Sequence, residues 1–283
     1  MITIDAHQHF WSPARGDYGW MQSSDDLAPL RRDYLPQHLA PLLASLAIDH
    51  TVLVQAAPTI SETSFLLDLA SEHALIAAVV GWIDFEDKSH IRHLEHFRRH
   101  PKFVGVRPMI QDIPDVDWML SGDVDWAFEA VIALDLTFDA LGFPVHMDNF
   151  CRLFNRHPAM RVVIDHGLKP VIRRPEARDD WCRGIARLAA ETAACCKISG
   201  FATEAGPGWT ADVLRPYVDH LIACFGADRL MWGSDWPVLE LVSSYESWYA
   251  TARDLVAPTA AGDRIFGGTA QAFYRLDALR SRP

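Results

Sequence analysis

Basic side chains are in the minority: 26 Lys and Arg stand against 37 Asp and Glu, a formal net charge of −11 over 283 residues. Nucleic-acid binding draws most of its affinity from clustered Lys and Arg, so no nucleic-acid partner is expected. No apolar run approaches the roughly 18 residues that a membrane-spanning helix needs. The stretch Met1-Ile2-Thr3-Ile4-Asp5 carries no basic region followed by an apolar one, so the expectation is a cytoplasmic protein without a membrane partner. The five cysteines, Cys151, Cys182, Cys195, Cys196 and Cys224, include no Cys-x-x-Cys pair and read as reduced thiols. Adjacent Cys195 and Cys196 would point to opposite faces of a strand. No Gly-rich turn follows the first apolar strand, which removes the main signal of a dinucleotide-binding sheet. Repeats, low-complexity tracts and Gly/Ser linkers are also lacking, so residues 1–283 read as one domain.

What is present is a large apolar fraction, 49%, beside 22% charged residues, enough to build a core. Short β-branched and apolar runs fall at 2–9, 51–55, 76–84, 103–108, 136–141, 162–166, 195–199 and 229–235. Segments with helical periodicity lie between and after them, at 36–46, 61–73, 91–100, 125–134, 147–154, 178–193, 211–225 and 243–256. Eight strands alternating with eight helices predict an α/β (β/α)8 TIM barrel. Residues 11–36 are too many for an ordinary strand-to-helix turn and contain Trp11, Trp20, Pro29 and Pro36, so they read as an active-site loop over the barrel mouth.

Barrel enzymes place their chemistry at the C-terminal ends of the strands. There the chain has His7 and His9, Gln55, Trp82 and Asp84, Arg107, Asp139, His166, Lys197 and Ser199, and Asp235 with Trp236. His7 and His9 are two apart, which puts both imidazoles on one strand face. The first and last strands of a closed barrel are neighbours, so His7, His9 and Asp235 should converge, with His166 joining them from across the mouth. Four histidines at 90, 93, 96 and 100 form a denser cluster. Ile91, Leu94 and Phe97 define the buried stripe of that helix, which leaves the histidines toward solvent. His146 belongs to the turn into the next helix, and Thr269 after Gly267 and Gly268 reads as a helix N-cap.

Several of these stretches carry a resemblance: Asp5-Ala6-His7-Gln8-His9-Phe10-Trp11, Gly81-Trp82-Ile83-Asp84, Gly105-Val106-Arg107-Pro108, Asp165-His166-Gly167-Leu168-Lys169-Pro170, Lys197-Ile198-Ser199-Gly200, Gly233-Ser234-Asp235-Trp236-Pro237 and Ala270-Gln271-Ala272-Phe273-Tyr274-Arg275-Leu276. In order and over nearly the whole chain, they resemble the lactonase branch of the amidohydrolase superfamily. The resemblance implies a hydrolase acting on the ester ring of sugar lactones or related carboxylated lactones. Binuclear members of the superfamily carry a carboxylated Lys or a Glu at strand four and a further His at strand five, where this chain has Arg107 and Asp139. The resemblance therefore implies at most one divalent ion, such as Zn²⁺, on His7, His9, His166 and Asp235; metal-free catalysis is the alternative.

Lactone hydrolysis requires an activated water, stabilisation of an oxyanion and a proton for the departing ring oxygen. Asp235 is the expected general base, with His7, His9 and His166 polarising the carbonyl. Arg107, Trp82, Lys197, Asp139 and Trp236 are the expected substrate-binding residues: Arg107 as a fork of donors, the two tryptophans as ring-packing faces. The expected partner is a small-molecule substrate. The alternatives are a metal-dependent decarboxylase or amide hydrolase on the same scaffold, and a silent binding protein.

Overall fold

Period-two burial organises the sheet. In the computed structural model, which describes residues 2–257 and 261–276, Val52 and Val54 on one strand and Ala78 and Val80 on the next belong to a smaller apolar cluster. Leu53 and Val79 between them belong to a larger one. Both faces of each strand are thus buried, one inside the barrel and one under the helices, as parallel strands covered by helices require. Cys195 and Cys196 divide in the same way between the two clusters, and all five thiols are free.

The strands are β1 (Ile4–Gln8), β2 (His50–Val54), β3 (Ile76–Gly81), β4 (Phe103–Val106), β5 (Thr137–Ala140), β6 (Arg161–Ile164), β7 (Cys195–Ile198) and β8 (Leu230–Trp232). They pair in parallel in chain order, β1 to β8. A parallel bridge between Gln8 and Trp236 closes the ring. There the His9 amide donates to the Trp236 carbonyl at 2.7 Å and the Asp235 amide to the His7 carbonyl at 2.8 Å. The expected (β/α)8 barrel is what forms; the far end of the expected 1–283 domain, residues 277–283, lies outside the described residues.

The helices are α1 (Pro36–Ser45), α2 (Ile60–Glu72), α3 (Ile91–Phe97), α4 (Asp125–Ala133), α5 (Met147–Arg156), α6 (Arg178–Glu191), α7 (Phe201–Ala205), α8 (Ala211–Phe225), α9 (Tyr245–Val256) and α10 (Thr269–Phe273). Side-chain caps set several starts: Thr59 accepts from the Glu62 amide, Thr210 from that of Val213, and Ser244 from that of Ser247. Thr269 does not cap as expected. It is already helical, and its hydroxyl donates to the Ala227 carbonyl at 2.8 Å.

Every strand ends before its apolar run does, β3 and β8 by three residues at Gly81 and Trp232, β4 and β6 by two at Val106 and Ile164. At β6 and β8 the cause is backbone handedness: His166 has φ 53° and Asp235 φ 59°, left-handed conformations that an extended strand does not admit. Each turn swings a functional side chain over the mouth. Gly233 sits where an added Cβ would come within 2.6 Å of His7 Cβ, so glycine permits β8 to lie close beside the first histidine. Segment 11–36 folds back as three short 3₁₀ turns, Pro13–Arg15, Gly19–Gln22 and Asp25–Leu30. A bridge between Trp11 and Tyr34 pins its two ends together.

Candidate active site

His9 shows how the site is wired. Its Nδ1 lies 2.8 Å from the Val54 carbonyl, which only accepts, so Nδ1 carries the proton. The lone pair of Nε2 then faces Asp235 Oδ1 at 3.3 Å. His7 Nδ1 stands 3.3 Å from Asp165 Oδ1 and 3.2 Å from Lys197 Nζ, while its Nε2 accepts from Arg107 Nη1 at 3.4 Å and lies 3.8 Å from Asp235 Oδ1. His166 brings Nε2 to 3.8 Å from the same oxygen, its Nδ1 held 2.8 Å from Ser199 Oγ. Gly200, with φ 71°, leaves room for that ring, since a Cβ there would meet His166 Nδ1 at 2.8 Å. The predicted convergence of His7, His9, His166 and Asp235 is therefore present, at the ends of β1, β6 and β8.

Burial acts on both halves of the site, lowering His7 and His166 and opposing the charge of Asp235. Burial lowers His7, and the neighbouring Lys197 and His166 charges lower it further against the pull of Asp165. Burial likewise brings His166 down to about 4. Burial pushes Asp235 the other way, but His166, His9 and His7 outweigh it and hold the carboxyl well below its ordinary range. An ionised carboxylate thus faces imidazole lone pairs, an arrangement that a cation between them relieves. Among the described residues, His7, His166 and Asp235 are the one group of three such side chains whose ligand atoms lie within 4.8 Å of one another, and His9 stands beside that group with Nε2 3.3 Å from Asp235 Oδ1. Imidazole nitrogens beside one carboxylate oxygen, with the far ring nitrogens held by a carbonyl, a carboxylate and the Ser199 hydroxyl, suit a single zinc-like ion. The His90, His93, His96 and His100 cluster forms no such group: His90 Nδ1 accepts from the Asp84 amide, and His100 bonds Ser71 on α2.

His9, His166 and Asp235 floor a cavity of about 280 Å³. Its polar end is formed by His9, Arg107, His166, Lys169 and Asp235; its walls include Trp11, Trp20, Met109, Leu141 and Val238. Trp11, Trp20 and Ser23 come from the long segment 11–36, with Trp20 Nε1 donating to the Ala56 carbonyl at 2.8 Å. Arg107 is 4% exposed and held from behind: its guanidinium donates to the Gln55 carbonyl while Gln55 Nε2 donates to the Arg107 carbonyl at 2.8 Å. One face of the fork thus remains for the cavity.

Four expected substrate contacts lie elsewhere. Lys197 and Asp139 are fully buried beneath the cavity as an ion pair, Nζ standing 2.6 Å from Asp139 Oδ2 and 2.9 Å from Asp165 Oδ1. Tyr274 donates to the same Asp139 oxygen at 2.8 Å. Burial opposes the Lys197 charge, but the two carboxylates outweigh it and raise the ammonium; burial raises Asp139 against the pull of Lys197. Trp236 is 1% exposed, packed edge-on to Phe10 and Tyr34 with Nε1 donating to Glu240 at 2.8 Å, so it supports the cavity without lining it. Trp82 lines a separate neighbouring cleft.

The sequence reading passed over Asp165 and Lys169. Asp165 is buried between His7, Lys197 and Arg107, and although burial raises it, those three cationic or donating groups hold it well below its ordinary range. Its signal was available: a carboxylate closing an apolar strand directly before His166. Lys169 reaches the cavity because the backbone from His166 to Lys169 winds left-handed, which residue type alone does not announce; Nζ donates to Gln111 at 2.5 Å.

Comparison with known proteins finds relatives along nearly the whole chain. An L-fucono-1,5-lactonase of Burkholderia ambifaria is 43% identical over 287 residues, covering 98% of this chain and 96% of that one. An L-fucono-1,5-lactonase of Burkholderia multivorans is 36% identical, covering 97% and 96%. The crystal structure of a Burkholderia multivorans amidohydrolase with bound zinc superposes with a TM-score of 0.91 at 34% identity, covering 97% of this chain and 99% of that chain. Residues 4–276 match the amidohydrolase family model, and the chain belongs to that family.

Proposed function

We propose that this protein hydrolyses the ring ester of a sugar 1,5-lactone, with L-fucono-1,5-lactone as its representative substrate. The observation that carries the reading is the meeting of three imidazoles on the ionised Asp235 at the floor of a cavity sized for one small ring, in a chain 43% identical to an L-fucono-1,5-lactonase.

Asp235 takes a proton from water held against the carbonyl face; it is ionised at neutral pH and so always ready to accept. The carbon–oxygen bond to water forms as negative charge gathers on the lactone carbonyl oxygen. Arg107, aimed into the cavity beside His7, stabilises that charge with its donors. When the ring carbon–oxygen bond breaks, the proton held by Asp235 passes to the departing ring oxygen, directly or through His166, and the product is the open hydroxy acid. Trp11 and Trp20 give the sugar ring an apolar face and exclude bulk water, while Lys169 meets ring hydroxyls at the rim. His7, His9, His166 and Asp235 would hold a zinc-like ion, which when bound supplies Lewis acidity toward the carbonyl oxygen and a more acidic water.

The test is acid release from L-fucono-1,5-lactone and a panel of aldonolactones, followed with a pH indicator above the spontaneous rate. Saturable acid release is expected. Silence across the lactones, with carbon dioxide released from aromatic acids, would move the protein to decarboxylation.

A further inference from the structure

Trp82 closes an apolar strand at the mouth, yet its ring lines a second cleft and leaves the catalytic cavity to others. This cleft has a volume of about 240 Å³ and adjoins the first: Met109 and Asp112 line both. A space below the usual range for drug-sized ligands holds about one ring.

The cleft is built and held in advance. The Trp82 amide donates to Thr63 Oγ1 at 2.9 Å and that hydroxyl donates to the Trp82 carbonyl at 3.2 Å. The Asp84 amide donates to His90 Nδ1 at 3.0 Å, and the Phe85 carbonyl accepts from Trp126 Nε1 at 2.8 Å. His90 meets the Trp82 ring at 6.0 Å and 89°, and fixes the indole from one side. Trp118 forms another wall, its Nε1 donating to Glu86 Oε1 at 2.7 Å.

The chemistry of the lining selects the occupant. Asp84, Glu86 and Asp112 are its charged side chains, and no Lys, Arg or His lines it. An anion is therefore repelled, including the carboxylate that lactone opening produces. Asp84 Oδ1 already accepts from the Glu86 amide and Glu86 Oε1 from Trp118, so each carboxylate keeps an oxygen for a further donor. Acceptors around an indole face suit a ring that bears hydroxyl groups. We propose that the Trp82–Trp118 cleft is a second subsite that takes a neutral, hydroxyl-bearing ring joined to the lactone, so that substrates extend beyond one sugar unit across Met109 and Asp112.

This inference rests on the lactonase reading for its substrate but not for its binding test. Cellobiose, a neutral two-ring sugar with no lactone to open, is titrated against the wild-type protein and Trp82→Ala, with tryptophan fluorescence and calorimetry as readouts and circular dichroism confirming that the variant folds. Saturable binding is expected in the wild type and weakened roughly threefold to tenfold in Trp82→Ala, the range that one aromatic face contributes. In parallel, the hydrolysed lactone is prepared with a neutral pyranosyl, a uronyl or a methyl group at each free hydroxyl. The ratio of kcat/KM for ring over methyl is then taken within each protein. At one position the neutral ring should exceed methyl several-fold and the uronyl ring should not, with the advantage falling to about one in Trp82→Ala. No cellobiose binding in the wild type, binding indifferent to Trp82→Ala, or a uronyl ring preferred over the neutral one would overturn the subsite. Failure to open any lactone while cellobiose binds through Trp82 would overturn the lactonase reading and leave the cleft standing.

Discussion

Lys197 illustrates what one residue does in this barrel and why its neighbours cannot spare it. A fully buried ammonium lies between Asp139 and Asp165, and Asp165 in turn stands 3.3 Å from His7 Nδ1 and 3.3 Å from the Arg107 guanidinium. Removing the cation strands two carboxylates in a medium that solvates them poorly. Lys197→Met should therefore lose about 3–5 kcal/mol of stability in a urea melt at neutral pH. Lys197→Met combined with Asp139→Asn should recover part of that loss, because the stranded charge is removed along with its partner. A single variant as stable as wild type would mean that the pair carries no structural weight. The residue scale also marks where sequence reasoning fell short. Strand periodicity reported which face Lys197 and Asp139 occupy but not how deep in the barrel they sit, and depth separates an ion pair from a substrate contact.

The elements that carry the site were legible where pattern and geometry coincide. His7 on β1 and His9 just past its end are two apart, and both reach Asp235 as period two requires. The ends of β6 and β8 were less legible, because their apolar runs continue into residues whose backbone turns left-handed at His166 and Asp235. Tertiary packing enforces that turn; composition does not encode it. The joint between β2 and α2 gives an element-scale prediction. Glu62 on α2 accepts the Ala56 amide at 2.8 Å and is fully buried, and burial pushes its carboxyl from 4.5 up to about 8 against the backbone donors and Arg107. The folded chain holds this proton where the unfolded chain has released it. The resulting stabilisation is complete below about pH 4.5 and is lost as pH rises through about 8. Glu62→Gln keeps the neutral form at every pH, so its melting temperature relative to wild type should climb between about pH 4.5 and about pH 8. A flat or falling difference would contradict the neutral carboxyl.

At the scale of the whole molecule, the barrel brings four side chains from β1, β6 and β8 to one point and covers them with segment 11–36. Among the described residues no helix is long and apolar enough to cross a membrane. The donor set makes a whole-protein prediction about metal. Dialysis against a strong chelator should lower activity, and zinc should restore it at one equivalent per chain, with loss of that equivalent in His9→Ala as read by elemental analysis. Full activity in protein that carries no metal would assign the carbonyl-polarising role to the side chains alone. The central claim is that Asp235, among three imidazoles, activates water against a sugar lactone, and it is tested most directly by steady-state hydrolysis of L-fucono-1,5-lactone in the wild-type protein and Asp235→Asn side by side. The account predicts saturable acid release by the wild type and a kcat lower by about 10²-fold or more in the variant, at an unchanged fold. A wild type without activity on the lactone, or a variant that keeps more than about a tenth of kcat, would contradict it.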